Sequence, residues 1–511
     1  MNTADRTFLP KNEISFASVA NQGRRRVICG VIGLLLLAPF VLCTPSFARE
    51  YTVAKTAGAS DDNLGTADSP LRTIGAAVSK AGPGDVVTVL PGDYRSENTG
   101  YGVGVIPIMK SGTLTKPIRV QAGGDGDVTV RTFLVANCRD VIIEGFQVRG
   151  LDLSTVSGWR PMPSVVRTPN PELPRPDYGQ PFETREAQIR SEFAVYFSVI
   201  DQLDFSSGID LENCRRIFVI ENDVAGYFAG VQCRGCIQIE ILDNKIRDCV
   251  NGIFTFYAND GTTPGVISAL IQGNDIQQSL DNGIDIRAES KAVWIYENQV
   301  SLSGRSHISL QDGAHRCRVE SNRVRHGGYY SETMKFPGSS AISLNDAGDR
   351  NLVLNNHVVL QRDLTGIDGN GIIVDFMREG TLAVIDGNIS ANNAGAGLNL
   401  TASPGMVIRN NYFCFNGRFG TEFRRGAGIK ISRDNDIDNF IVDNVLIANR
   451  AAGILSSGTI TSQSLVDRNT YIIEDEPLIW DAYNPGDSEY QSLDEVQAFT
   501  GWERLGEVWF R

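Results

Sequence analysis

Histidine is nearly absent from this chain, four in 511 residues, beside five Trp and six Met. Basic charge is also short. Lys plus Arg number 47 against 60 Asp plus Glu, a net charge of −13, which excludes a general nucleic-acid binder with a basic face. An acidic-polymer partner stays open, because a local basic groove can sit on an acidic body. Apolar runs long enough to span a bilayer are missing apart from one near the N-terminus, so a polytopic membrane protein is excluded. No segment keeps a helical apolar period over ten or so residues, which sets helical repeats aside. No second cysteine pair follows Cys233-x-x-Cys236 at finger spacing, so a zinc finger is excluded. The absence of a phosphate-cradling glycine loop and of a nucleophile elbow does the same for NTPase and esterase readings.

The single apolar run follows Arg24-Arg25-Arg26, extends from Val27 to about Cys43 and leads to the small-x-small triplet Ser46-Phe47-Ala48. Charged, apolar and small-residue regions in that order read as a secretory signal peptide over 1–48, which predicts a periplasmic or secreted protein with no membrane attachment after cleavage. Seven of the nine cysteines lie beyond it, an odd number that cannot all pair within one chain. Cys138, Cys214 and Cys236 each stand eight residues before the same repeat position and are expected to form an internal stack of thiols.

What the chain has in abundance is a repeat. Asn with an apolar residue two later recurs at Asn222, Asn244, Asn274, Asn298, Asn322, Asn356, Asn410 and Asn444, with Gly387 in the equivalent place between Asn356 and Asn410. Each is preceded by a small residue and an apolar-x-apolar triplet, as in Gly208-Ile209-Asp210-Leu211, Gly283-Ile284-Asp285-Ile286 and Gly371-Ile372-Ile373-Val374. Alternation over a few residues is the strand period. Strands this short, repeated every two to three dozen residues, predict an all-β solenoid: a single-stranded, right-handed parallel β-helix. The Ile column should stack inward, and the Asn should occupy a turn and hydrogen-bond its stacked neighbour. The β-helix is expected over 49–470, with a Pro-rich surface excursion at about 151–200 and a C-terminal cap over 471–511.

At the front, Asp61-Asp62-Asn63-Leu64-Gly65-Thr66 leads through Pro70-Leu71-Arg72-Thr73-Ile74 to Val86-Val87-Thr88-Val89 and Pro91-Gly92-Asp93-Tyr94. Here the chain resembles secreted right-handed parallel β-helix proteins of the polysaccharide lyase and uronate epimerase type. That resemblance implies a short helix capping the N-terminal end, a small C-terminal helix around Ser492–Val496, and a polysaccharide as partner.

In each apolar-x-apolar strand the middle residue and the one two beyond it point outward. Asp285, Arg287, Ser309, Gln311, Ser343, Asn345 and Asp375 would therefore form one polar strip, and short hydrogen-bonding side chains suit sugar hydroxyls. All four histidines fall between His307 and His357. A loop from Arg325 would bring His326, Tyr329, Tyr330 and Lys335 over the strip. Uronate chemistry needs the carboxylate neutralised before the carbon-5 proton can leave. Arg287 is the expected neutraliser and His307 the base or acid, with Lys291 and Lys335 as rivals. Asp285 and Asp375 would orient these groups or hold calcium through oxygen ligands; no cofactor is otherwise required. Gly283–Glu289 is loosely similar to the strand of mannuronan epimerases that carries Asp-Pro-His-Asp. Ile286 and Arg287 replace its Pro and His, so Asp285 alone carries over. Two other readings stay open. One is a β-helix hydrolase pairing Asp285 with Asp375 or Asp210, although the Gly-His-Gly and Arg-Ile-Lys strings of polygalacturonases do not occur. The other is a glycan-binding or exopolysaccharide-assembly protein. In every case a monomer is expected.

Overall fold

Short β-branched triplets separated by turn residues bury one apolar face only if coil stacks upon coil, and this stacking builds the molecule. The computed structural model describes residues 48–157, 199, 202, 203, 206–328, 338–363, 368–377, 380–417, 426–433, 436–456, 464–481 and 488–510. The signal-peptide segment, apart from Ala48, lies outside them, as do most of the Pro-rich excursion and the residues Tyr329, Tyr330 and Lys335. The strands form three sheets of 14 strands each. One coil shows the pattern: Arg215–Ile220 in sheet 1, Asp223–Ala225 in sheet 2, Ala229–Arg234 in sheet 3, then Cys236–Leu242 back in sheet 1. Every strand pairs in parallel with its counterpart one coil away, except Ser488–Tyr490, which pairs antiparallel with Ile479–Asp481. This is a right-handed parallel β-helix. Parallel pairs run on past residue 470, where the sequence pattern had suggested the cap begins: Thr470–Ile473 pairs with Glu507–Phe510.

The interior is a column of aliphatic side chains. Ile253, Ile284, Ile308, Ile342 and Ile372 stack one per coil in sheet 3, each with no exposed surface, and each such burial contributes roughly 1.5–3 kcal/mol. Between sheets 1 and 2 runs the asparagine ladder. Its members are Asn222, Asn244, Asn274, Asn298, Asn322, Asn356, Asn388, Asn411, Asn444 and Asn469. At each step the side-chain oxygen of one Asn accepts from the backbone N–H and Nδ2 of the Asn one coil before, at about 3 Å. The expected repeat slips by one residue in two places: Asn388 and Asn411 are the ladder members, not Gly387 and Asn410. Gly387 (φ 70°) and Asn410 (φ 56°) occupy the left-handed position just before the ladder Asn, as Glu221 and Asp243 do elsewhere. The turn's left-handed residue and its hydrogen-bonding residue are thus neighbours, not one residue. The doublets Gly387-Asn388 and Asn410-Asn411 hid the difference.

Between sheets 3 and 1, Cys138, Cys214 and Cys236 stack as expected. The Cys138 and Cys214 sulfurs are 3.9 Å apart, and all seven described cysteines are free thiols. A helix Ile74–Lys80, capped by the Thr73 hydroxyl, lies at the N-terminal end; Leu493–Thr500 opens with a capping box from Ser492 and Glu495 and stops at Gly501 in the left-handed region. Among the described residues no helix is long and apolar enough to cross a membrane.

Candidate functional site

The outer face of sheet 3 carries the polar strip. Register pairs Asp210 with Gln232, Gln232 with Phe254, Phe254 with Asp285, Asp285 with Ser309, Ser309 with Ser343, Ser343 with Ile373, and Ile373 with Asn399. One lane across, Glu212 pairs with Arg234 and Arg234 with Phe256, while Gln311, Asn345, Asp375 and Thr401 follow one another. These columns match the spacing in the sequence, because side chains alternate strictly across a strand.

Depth along the strip varies. Two cavities lie over its N-terminal part. One, of about 1110 Å³, spans the first coils and is lined by Arg95, Tyr101, Arg131, Arg149, Tyr227 and Asp210 among others. The second, of about 510 Å³, is lined by Asp210, Gln232, Arg234, Phe256, Tyr257 and Asn259. Asp210 belongs to both. Its Oδ2 accepts from Arg234 at 2.8 Å, and the same guanidinium nitrogen reaches Glu212 at 3.4 Å. Asn259 accepts from the other terminal nitrogen of Arg234 at 3.1 Å and donates to Glu212. Asp210 Oδ1 and Arg234 Nε are buried without a hydrogen-bond partner. Burial pushes the Asp210 carboxyl above its ordinary value, and the facing Arg234 does not cancel the effect. The cluster thus lies at the meeting of two cavities, with one carboxylate oxygen and one guanidinium N–H that are buried and, among the described residues, without a partner.

Three rungs further on stand the residues that the sequence singled out. Asp285 points to the outer side of sheet 3 but has no exposed surface. It accepts from Arg287 at 2.5 Å, Gln311 at 2.7 Å and Asn282 at 3.1 Å. Asn282 also donates to Asp281 at 3.2 Å, a wholly buried acid whose carboxyl is pushed up by burial. Arg287 lies over the Phe254 ring at 5.3 Å, its side chain 21% exposed. Burial works against its charge, but Asp285, Asp281 and Asp312 outweigh that and hold the guanidinium above its ordinary value. Asp285 is a floor beneath Arg287 rather than a group open to the groove.

His307 is not on the strip. Its ring is fully buried at the corner between sheets 2 and 3, where Nε2 meets the Arg325 carbonyl at 3.0 Å. It fills space that a side chain on Gly327 would need: a Cβ there would sit 2.2 Å from the ring. Burial pushes its pKa down to about 4. The small position that His307 takes in the repeat faces inward, so histidine there is packing. Lys291 opens the strand Lys291–Tyr296 of sheet 1, and His326 lies in Arg323–Gly327 of sheet 2, so neither shares the strip's sheet. His315, whose Nδ1 meets the Gly313 carbonyl at 3.0 Å, and the exposed His357 do not join them either. The four histidines are close in sequence and apart in the fold.

Ser309, Gln311 and Asn345 do lie on the strip, with Asp375 three rungs beyond Asp285. Asn345 donates to Asp375 at 3.1 Å, the other Asp375 oxygen has no partner, and burial raises this carboxyl to about 6. Three rungs at the strand spacing of a sheet make roughly 14 Å. Ca²⁺–oxygen bonds of about 2.3–2.6 Å therefore do not let one ion join Asp285 and Asp375. Among the described residues no three His, Cys, Asp or Glu side chains converge on one point.

A family model for the right-handed β-helix region matches residues 229–375. No curated protein matches the chain. Several solved structures do. XylC, solved in complex with xylose, has a TM-score of 0.44 at 14% identity over 86% of this chain and 87% of its own. The A-module of mannuronan C-5 epimerase AlgE4 from Azotobacter vinelandii has a TM-score of 0.40 at 11% identity, covering 89% of this chain and 95% of its own. The lacto-N-biosidase of Eubacterium ramulus has a TM-score of 0.40 at 11% identity, over 91% of this chain and 68% of its own. Their names span more than one carbohydrate chemistry. Likeness at this level leaves substrate and reaction to the chain's own groove.

Proposed function

We propose that this chain is an exported enzyme, periplasmic or secreted, that acts on an acidic, uronate-containing polysaccharide by abstracting the carbon-5 proton, as a lyase or an epimerase. The observation that carries the reading is the Asp210–Arg234–Glu212 cluster, set where two cavities meet on the flat outer face of sheet 3. Arg234, partly exposed and lining the smaller cavity, would neutralise the sugar carboxylate, the step without which a carbon-5 proton is too weakly acidic. Asp210, raised by burial and lining both cavities, is the base. The electron pair left on carbon 5 delocalises into the carboxylate. In a lyase it expels the 4-linked sugar oxygen as the carbon 4–carbon 5 double bond forms. Tyr257, which lines the same cavity, would protonate that oxygen. In an epimerase the carbon is reprotonated from the opposite face.

The hydrolase reading is disfavoured for Asp285 paired with either Asp375 or Asp210. Asp210 and Asp285 are three rungs apart, and so are Asp285 and Asp375. That is roughly 14 Å, beyond the about 5–9.5 Å over which two carboxylates flank one glycosidic bond. A binding-only protein would show aromatics without a titratable cluster. Here Phe254 is buried, Phe256 is half exposed, and the cluster is present.

Proton NMR of a panel of acidic polysaccharides with the purified protein, with and without calcium, tests the reading. Alkene signals identify a lyase and altered anomeric signals an epimerase. Asp210→Asn should lower either rate by about 10²–10⁴-fold. New reducing ends without alkene protons, or unchanged rates in the variant, would refute the mechanism. The acidic limb of the pH–rate profile should fall above 3.8, the ordinary Asp value, because protonation of a raised carboxyl removes the base.

A further inference from the structure

The larger cavity lies over the first coils, upstream of the proposed base, and its cations are not equivalent. Arg95 is held by Asp93 at 2.8 Å, and Arg149 by Asp223 at 2.8 Å. Arg131, at the turn before the strand Thr132–Ala136, lines the cavity and is exposed. Among the described residues no carboxylate pairs with it and no hydrogen bond occupies its guanidinium. Its backbone carbonyl instead accepts from the Tyr227 hydroxyl, which fixes the main chain at the point where the side chain leaves. Tyr101, 54% exposed, lies on the same cavity and offers an amphipathic ring face. The volume, about 1110 Å³, exceeds that of sites for drug-sized ligands, about 300–1,000 Å³. It has room for more than one sugar.

We infer that this cavity is an anionic subsite for the polymer, in which Arg131 pairs with the carboxylate of a sugar next to the one being turned over and Tyr101 packs on the sugar ring. The inference rests on the acidic-glycan reading above and adds which end of the groove reads the charge. Strands Thr132–Ala136 and Ser207–Glu212 are adjacent in sheet 3, with Leu134 opposite Asp210. Arg131 thus stands one rung before Asp210 and roughly 10 Å to one side along its strand, so a sugar next to the one over Asp210 comes within reach of the long Arg131 side chain. A guanidinium with no internal carboxylate is also the cheapest cation to desolvate against an incoming anion, since no existing ion pair has to break. Arg95 and Arg149 would each have to give up a partner.

The test separates binding from turnover. Asp210→Asn protein is titrated calorimetrically with a hexuronate oligosaccharide and with its carboxyl-reduced, neutral counterpart, with and without Arg131→Gln. Arg131→Gln should weaken the acidic ligand about tenfold or more, as expected for one charged hydrogen-bonded pair, and leave the neutral one unchanged. Arg131→Lys should recover part of the loss, since it keeps the charge without the fork. Because Arg131 is exposed, the variants are expected to fold, and circular dichroism checks that they do. Equal affinity of Arg131→Gln and its parent for the acidic ligand would overturn the inference, as would failure of the parent to bind any hexuronate. Arg131-dependent binding by a wild-type protein with no turnover would instead remove the enzymatic reading and leave this subsite standing.

Discussion

His307 carries its proton on Nε2, because the Arg325 carbonyl facing that nitrogen can only accept. Nδ1 has no partner. A second proton would have to be buried there, and the lowered pKa of about 4 expresses that cost. The ordinary value is 6.5, so the unfolded chain takes up this proton first as pH falls. The contribution to stability is complete above 6.5 and is lost as pH drops through the window down to about 4. Urea midpoints measured across that window should fall less steeply in His307→Gln than in the parent. If the proposed chemistry is right, the pH profile of turnover in that variant, per folded molecule, should keep its shape. A changed profile would return His307 to the active site. The residue scale is also where the sequence was least informative. Four scarce histidines crowded into 50 residues drew the eye, yet alternation tells which side of a strand a residue takes and says nothing of its depth. Asp285 faces outward and is sealed; Asp210 faces outward and meets two cavities. Both read alike in the repeat. The signal that would have found the cluster was present in the columns: Asp210 and Glu212 stand on one strand, with Arg234 on the next.

The asparagine ladder is the element on which coil register depends. Asn298 accepts from the backbone N–H and Nδ2 of Asn274 and donates to Ile271 and Asn322, all within 3.0 Å. Replacing it by Ala removes these bonds and strands buried donors, at about 1 kcal/mol per net bond. Asn298→Ala should therefore cost about 3 kcal/mol or more in urea unfolding. Asn411→Ala should behave alike. Asn410→Gly, beside it, should cost about 1 kcal/mol or less, because Asn410 is exposed and glycine accepts its left-handed backbone. Reversal of that order would mean the ladder runs through residue 410. Most of the ladder, the aliphatic stack and the thiol column were legible beforehand, since each is a strict one-per-coil repeat. The slips at 387 and 410 arose where two residues in a row satisfied the same rough pattern. Only the hydrogen bonds distinguish them.

At the scale of the whole molecule, the ladder has to stop somewhere. It stops at Glu503, a fully buried carboxylate that accepts from Asn469 N and Nδ2 at 3.1 and 2.7 Å and from the Tyr471 hydroxyl at 2.6 Å. Burial raises it to about 7 from an ordinary 4.5. A raised acid stabilises the fold fully below its unfolded value, and that contribution is lost as pH climbs through the folded one. Above 6.5, where the His307 contribution is complete and no longer changes with pH, stability should decline as pH passes through the raised Glu503 value, and Glu503→Gln should flatten the decline. Trp502 fluorescence during urea unfolding would report it.

A stack of parallel coils has no intrinsic length; any copy whose first coil met another's last could extend it. The helix Ile74–Lys80 lies at one end, and at the other the strand Ser488–Tyr490 runs against the grain of sheet 3. A new parallel strand finds no matching row of donors and acceptors beyond it. This reversed strand closes sheet 3 against further parallel pairing. Removing residues 488–500 should convert a soluble particle into filaments visible by electron microscopy, growing from the bared edge of Ile479–Asp481.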